Sequence, residues 1–164
     1  MSLCQPLCLR PGTCLPPRLV GAVKPRTTHI ITIPAAAFNP TGDSWIYANL
    51  GDELFTTTGL GTFAAPLFFE TPAVTVNSIT LYGYDNNAAA DVCVYLQRST
   101  AWNGGSLAMG SVCSTGASTA DRNFTNSATL NYRTANGNPY LWLVLPSSKA
   151  DGYAFYRVRI NDSY

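Results

Sequence analysis

Charge is scarce in this chain. Asp, Glu, Lys and Arg make up 12% of its 164 residues, about half the roughly 25% usual in soluble globular proteins. Histidine is scarcer still, with His29 alone. One imidazole cannot build a multi-histidine metal centre, and it leaves Ser-His or Cys-His nucleophilic chemistry resting on a single ring just outside the first apolar run. No G-x-S-x-G, HExxH, phosphate-loop or dinucleotide fingerprint occurs. Long apolar runs are missing too: the longest, such as Leu141–Leu145, fall far short of the roughly 20 residues that span a bilayer as a helix. No window carries an amphipathic helical stripe, so at most a short helical turn is expected near Asp43–Leu54. These absences exclude a transmembrane helix and argue against an enzyme.

The place of charge is taken by Thr, Ser, Asn, Gly and Ala, and 46% of the chain is hydrophobic, enough for one substantial core. Such a surface suits secreted β-proteins and proteins that pack against their own copies, because few charges need desolvating. Two segments differ in character. Residues 1–28 hold Cys4, Cys8 and Cys14, five of the eleven prolines, and Arg10, Arg18, Lys24 and Arg26 with no acid. Proline at this density blocks helix and sheet alike, so a disordered or extended basic arm is expected. It reads as an overextended gene start or leader, a processed export leader, or a functional arm cross-linked through its cysteines. The spacing C-x3-C-x5-C lacks the fourth ligand of a zinc site. The remainder, 29–164, carries six bases against nine acids and no basic run, which excludes a nucleic-acid footprint.

From His29 onward, short apolar runs alternate with Gly, Asn, Ser, Thr and Pro clusters. Ile30–Ile33 ends at Pro34. Val74 and Val76 lead into Ile79, Leu81 and Gly83 on one face, with Thr80, Tyr82 and Tyr84 on the other. Val92, Val94 and Leu96 alternate with Cys93, Tyr95 and Gln97, and Leu141, Leu143 and Leu145 with Tyr140, Trp142 and Val144. In the last segment Tyr156, Val158 and Ile160 alternate with Phe155, Arg157 and Arg159. This period of two predicts strands with one apolar face each. Burying seven or eight such faces requires a second sheet. The expected fold is therefore all-β, an antiparallel β-sandwich of jelly-roll or Ig-like type, with a closed barrel as the alternative.

Cys93 and Cys113 flank the turn-rich stretch around Asn103-Gly104. A hairpin centred near residue 103 sets them opposite each other, within reach of a disulfide. Two buried thiols are the other reading, and the low-charge, Thr- and Asn-rich composition favours the oxidised one.

The nine acids sit mostly in loop-like text beside Gly, Asn or Ser, where Asp commonly serves a turn. Between two strands, Asp85, Asn87 and Asp91 offer hard oxygen donors suited to structural calcium; a plain polar turn explains the same residues. No other cofactor is called for. Aromatic residues reach 12%, and Tyr84 and Trp102 are candidates for stacking on a sugar. Against this, such rings commonly fill or cap a sandwich. Asn123-Phe-Thr125 and Asn161-Asp-Ser163 are formal glycosylation sequons.

The stretches ITLYGYDNNAAADVCVYLQRS, GSVCSTGASTADRNF, NPYLWLVLP and GYAFYRVRI resemble poorly characterised secreted bacterial β-sandwich domains. The resemblance covers about 30–160 and implies export, a sandwich and the Cys93–Cys113 bridge, with no catalytic residue attached. The leading expectation is a secreted or cell-surface non-catalytic module acting through surface contacts: structural, adhesive or self-assembling into an oligomer or polymer, with Ile30–Ile33 pairing to a sheet edge of its own domain or a neighbour's. The alternative is a carbohydrate-binding module, calcium-stabilised, using Tyr84, Trp102 and the Asp85–Asp91 loop.

Overall fold

The computed structural model describes residues 26–99, 105–127, 130–133 and 137–164. Trp102, Cys4, Cys8 and Cys14 lie outside them. The described chain forms two antiparallel sheets that face each other, as the alternating pattern requires. The first orders its strands β10 (Leu130–Arg133), β6 (Ala73–Asp85), β12 (Tyr153–Ser163), β4 (Leu54–Thr56) and β3 (Tyr47–Asn49). In that sheet β1 (Thr28–Pro34) also pairs with β12, and β9 (Arg122–Asn126) with β6. The second sheet runs β2 (Asn39–Pro40), β5 (Gly61–Pro66), β11 (Asn138–Leu145), β7 (Cys93–Ser99) and β8 (Ser106–Cys113).

The core lies between them. Val76, Ile79, Leu81, Phe155, Val158 and Ile160 descend from the first sheet, and Phe63, Val94, Leu96, Leu141, Leu143 and Leu145 rise from the second. Phe38 meets Phe155 edge-to-face, with centroids 4.8 Å apart, the arrangement ring quadrupoles favour.

Among the described residues, three β-bulges adjust the phase of the alternation. Asn77 is the extra residue between Val76↔Asp162 and Ser78↔Asn161, which is how Val76 and Ile79, three apart, both face inward. Met109 is the extra residue between Leu96↔Gly110 and Gln97↔Ala108. Tyr156 is the extra residue between Phe155↔Gly83 and Arg157↔Tyr82. This last bulge corrects the expectation from strict alternation that Tyr156 shares a face with Val158 and Ile160. Phe155 joins the core instead, and Tyr156 turns away from it.

Near Asp43–Leu54, where at most a short helical turn is expected, a turn at Asp43-Ser44 forms and no helix. That stretch supplies β3 and the start of β4, which pair as a short hairpin. Among the described residues, 3-10 turns fall at Ala35–Ala37 and Lys149–Asp151. Ser148 closes the second with a capping box, its hydroxyl and backbone N–H both donating to the Asp151 carboxylate.

Ile30–Ile33 is taken up by its own domain. β1 runs antiparallel to β12 from Thr28↔Ser163 to Pro34↔Arg157, and Thr27 and Tyr164 exchange backbone hydrogen bonds just beyond it. Among the described residues, no helix is long and apolar enough to cross a membrane.

Candidate functional site

Register decides which side chains share the outer face of the first sheet. Asn123, Tyr82, Arg157 and Pro34 form one row across β9, β6, β12 and β1. Thr125, Thr80, Arg159 and Thr32 form the next. Side chains opposite one another stand about 5 Å apart, and the Thr80 and Thr125 hydroxyls meet at 2.9 Å. At one end the face deepens into a groove of about 420 Å³ lined by Asp52, Tyr82, Asp121, Arg122, Asn123, Tyr156 and Arg157.

The β-bulge builds this groove by turning Tyr156 outward beside Arg157. Tyr156 donates its hydroxyl to Asp121 Oδ1 at 2.7 Å. Burial, and then that hydrogen bond to a carboxylate, push the phenol pKa far above its ordinary value, so the group stays protonated and acts as a donor. The Arg157 guanidinium lies over the Tyr82 ring at 4.5 Å, which orients both planes. Arg122 is spent otherwise: it stacks on Phe124 at 4.8 Å and donates to the Gly116 carbonyl. The groove thus presents tyrosine rings, an amide and a guanidinium set on paired strands beside carboxylates from the loops, Asp121 just before β9 and Asp52 before β4.

At one end of the sandwich a second cleft, of about 470 Å³, is lined by Pro66, Leu67, Phe68, Phe69, Pro139 and Tyr140 among others. Phe68 is 81% exposed and also borders a shallower hollow with His29, Ile30 and Glu70. There Tyr164 donates its hydroxyl to Glu70 at 2.9 Å and lies 3.1 Å from His29 Nε2, holding the start of β1 to the segment between β5 and β6.

The residues singled out from sequence fall elsewhere. Cys93 and Cys113 are direct register partners and form the disulfide. Tyr84 sits on β6 two residues from Tyr82 and outside the groove lining. Asp85 is 1% exposed and its carboxylate is committed within the fold. Oδ1 accepts the Asn87 N–H at 3.1 Å, and Oδ2 accepts the Ser114 hydroxyl. Asn87 receives the Ala89 N–H at 2.8 Å and donates to the Asp151 carbonyl at 3.0 Å, while Asp91 is exposed. These are the bonds of a self-satisfied polar turn. The oxygens of Asp85 and Asn87 accept these donors from the fold itself. Among the described residues, no group of three or more His, Cys, Asp or Glu side chains is arranged to hold a metal ion.

The groove residues were present in the sequence as the polar halves of period-two strands. What was missing was the pairing that sets Asn123 beside Tyr82 and Tyr82 beside Arg157, and the bulge that turns Tyr156 outward.

No family model and no curated protein matches the chain. Solved structures do resemble it. The CBM22-1–GH10 modules of Clostridium thermocellum endo-1,4-beta-D-xylanase 10B, complexed with xylohexaose, align over 79% of this chain at TM-score 0.52 and 8% identity. That alignment spans 26% of the xylanase chain. The CBM36-1 domain of a multidomain xylanase from the hindgut metagenome of Trinervitermes trinervoides aligns at TM-score 0.49 and 16% identity, covering 80% of this chain and 96% of that domain. A carbohydrate-binding module CBM36 in complex with calcium and xylotriose gives 0.46 and 18%, with 79% and 97% covered. At 8% identity, the first of these alignments shows a shared β-sandwich fold.

Proposed function

We propose that this chain is an extracellular, non-catalytic module that binds carbohydrate in the groove of Tyr82, Asp121, Asn123, Tyr156 and Arg157. One observation carries the reading: rings and planar polar side chains stand side by side in a single groove on a sheet face. A sugar offers apolar C–H faces to rings and vicinal hydroxyls to carboxylates, amides and guanidiniums, so this mixture suits it. The shared fold agrees with that reading, and the disulfide agrees with an oxidising compartment.

A glycan array probed with the full chain, with and without calcium, tests it. Binding to at least one polysaccharide class is expected, and Tyr156→Ala should weaken the best hit about tenfold. An array blank under both conditions, or hits unmoved by Tyr156→Ala and Asp121→Ala, would remove the groove reading. A calcium-dependent hit would move attention to the Asp85–Asp91 loop.

Self-association is supported by a different observation, the exposure of Phe68 and of Ile30 (81% and 54%) around the hollow they share. It calls for contact through that end of the sandwich, because Ile30–Ile33 is engaged with β12. Light scattering that gives a monomer at every concentration would exclude it.

A further inference from the structure

The outer face of the first sheet is not evenly charged. In its two central rows the ionisable side chains are Arg157 and Arg159 and the tyrosine Tyr82; the rest are Asn123, Thr125, Thr80, Thr32 and Pro34. Arg157 and Arg159 lie two residues apart on β12, about 7 Å along the strand, and point to the same side. Among the described residues, neither guanidinium has a carboxylate within 4.0 Å.

Two acids are engaged by other groups. Glu53 is paired with Lys149 at 2.6 Å, and Asp121 accepts the Tyr156 hydroxyl. Asp52 and Asp121 line the groove together with Arg157, and Arg159 is outside that lining. Toward Arg159 the row holds hydroxyls only, from Thr32, Thr80 and Thr125. In a chain this poor in charge, two unpaired arginines on one rigid face are an asymmetry that the core does not need.

We infer that the ligand of this face is an acidic polysaccharide, whose carboxylate or sulfate groups are held by Arg157 and Arg159 while its sugar ring occupies the Tyr82–Tyr156 groove. The inference rests on the carbohydrate reading above and names its ligand class. A guanidinium presents a planar fork of donors that matches an oxyanion in bidentate fashion. The Thr80 and Thr32 hydroxyls, on either side of Arg159, complete the donor set. Arg157 then has two roles, stacking on Tyr82 and reaching the acid group, which links the anion site to the groove.

The test uses the full chain and three probes in titration calorimetry: trigalacturonate for the carboxylate, a sulfated galactan oligosaccharide for the sulfate, and xylohexaose as a neutral chain. At least one acidic probe should bind about tenfold or more tightly than xylohexaose. That advantage should shrink between 50 and 500 mM salt, as roughly threefold shorter screening lengths require. The double variant Arg157→Gln/Arg159→Gln should abolish it, and Arg159→Lys, which keeps the charge, should retain part of it. Unchanged melting temperatures show that the variants fold. Whichever acidic probe binds identifies the acid group. Equal binding of neutral and acidic probes, insensitive to the double variant, overturns the inference and leaves the carbohydrate reading standing. No binding of any probe, together with a blank array, overturns both.

Discussion

Asp85 shows how one residue's role is decided by what surrounds it. In sequence it stands in an Asp- and Asn-rich loop with the donor types of a calcium site. In the fold it is the polar anchor beneath that loop. Its carboxylate takes the Ser114 hydroxyl, and Ser114 Oγ in turn accepts the Val92 N–H at 2.8 Å, tying both ends of the 85–92 loop to the segment that follows β8. Removing Ser114's hydroxyl strips a buried carboxylate of a donor. Ser114→Ala should therefore cost about 2–3 kcal/mol, read as a lower denaturation midpoint. Asp162 is the opposite case. It is buried on β12 with Oδ1 lacking a hydrogen-bond partner, and burial pushes its pKa up despite the neighbouring His29. A carboxyl whose folded pKa exceeds its unfolded value binds its proton more tightly in the native state. Its effect on stability is most favourable below the unfolded value near 3.8 and is lost as pH rises through the folded value. Asp162→Asn should raise the melting temperature at pH 7 and leave it nearly unchanged at pH 3.

Among the elements, strand positions were readable and strand phase was not. The apolar half of each strand follows from period two alone, so Leu141, Leu143 and Leu145, or Val94 and Leu96, needed no structure to assign to the core. A bulge leaves no comparable mark in a single strand, because it is a relation between two of them. Tyr156 was consequently assigned to the wrong face, and with it the groove was missed. Gly83 is the nearest trace: it pairs with Phe155 beside the bulge, and a Cβ there would stand 2.7 Å from the Ala154 carbonyl oxygen. Backbone cannot retreat as a side chain can. Gly83→Ala should cost about 1–3 kcal/mol and disturb the Tyr156 side of the groove, visible as lost stability together with weakened glycan binding. The Cys93–Cys113 bridge was legible because both cysteines flank one hairpin turn. It closes a separation of 20 residues, so replacing both cysteines by alanine should cost about 3 kcal/mol. β7–β8 pairing should persist in the folded protein, since it does not depend on the bridge alone.

At the scale of the whole molecule, the period-two alternation announced a two-sheet sandwich, but the site depends on contacts between strands far apart in sequence. β9 and β1 flank the β6–β12 pair, so residues 32, 80, 125 and 159 meet in one row. No local pattern encodes that meeting. β1 also covers the β12 edge from Arg157 to Ser163, the strand that carries both arginines of the outer face. A sheet edge left open offers unpaired backbone donors and acceptors to another chain. Removing residues 1–34 should uncover that edge and also strip Ile31 and Ile33 from their packing against the core. The truncated protein should melt at lower temperature and associate as its concentration rises, whereas a chain beginning at Arg26 should keep the stability of the full protein. Light scattering across a dilution series, paired with melting curves, checks this. A monomeric, equally stable protein lacking residues 1–34 would mean that β1 contributes little and that β12 is protected by its own sequence, with Arg157 and Arg159 as the charges that discourage edge pairing.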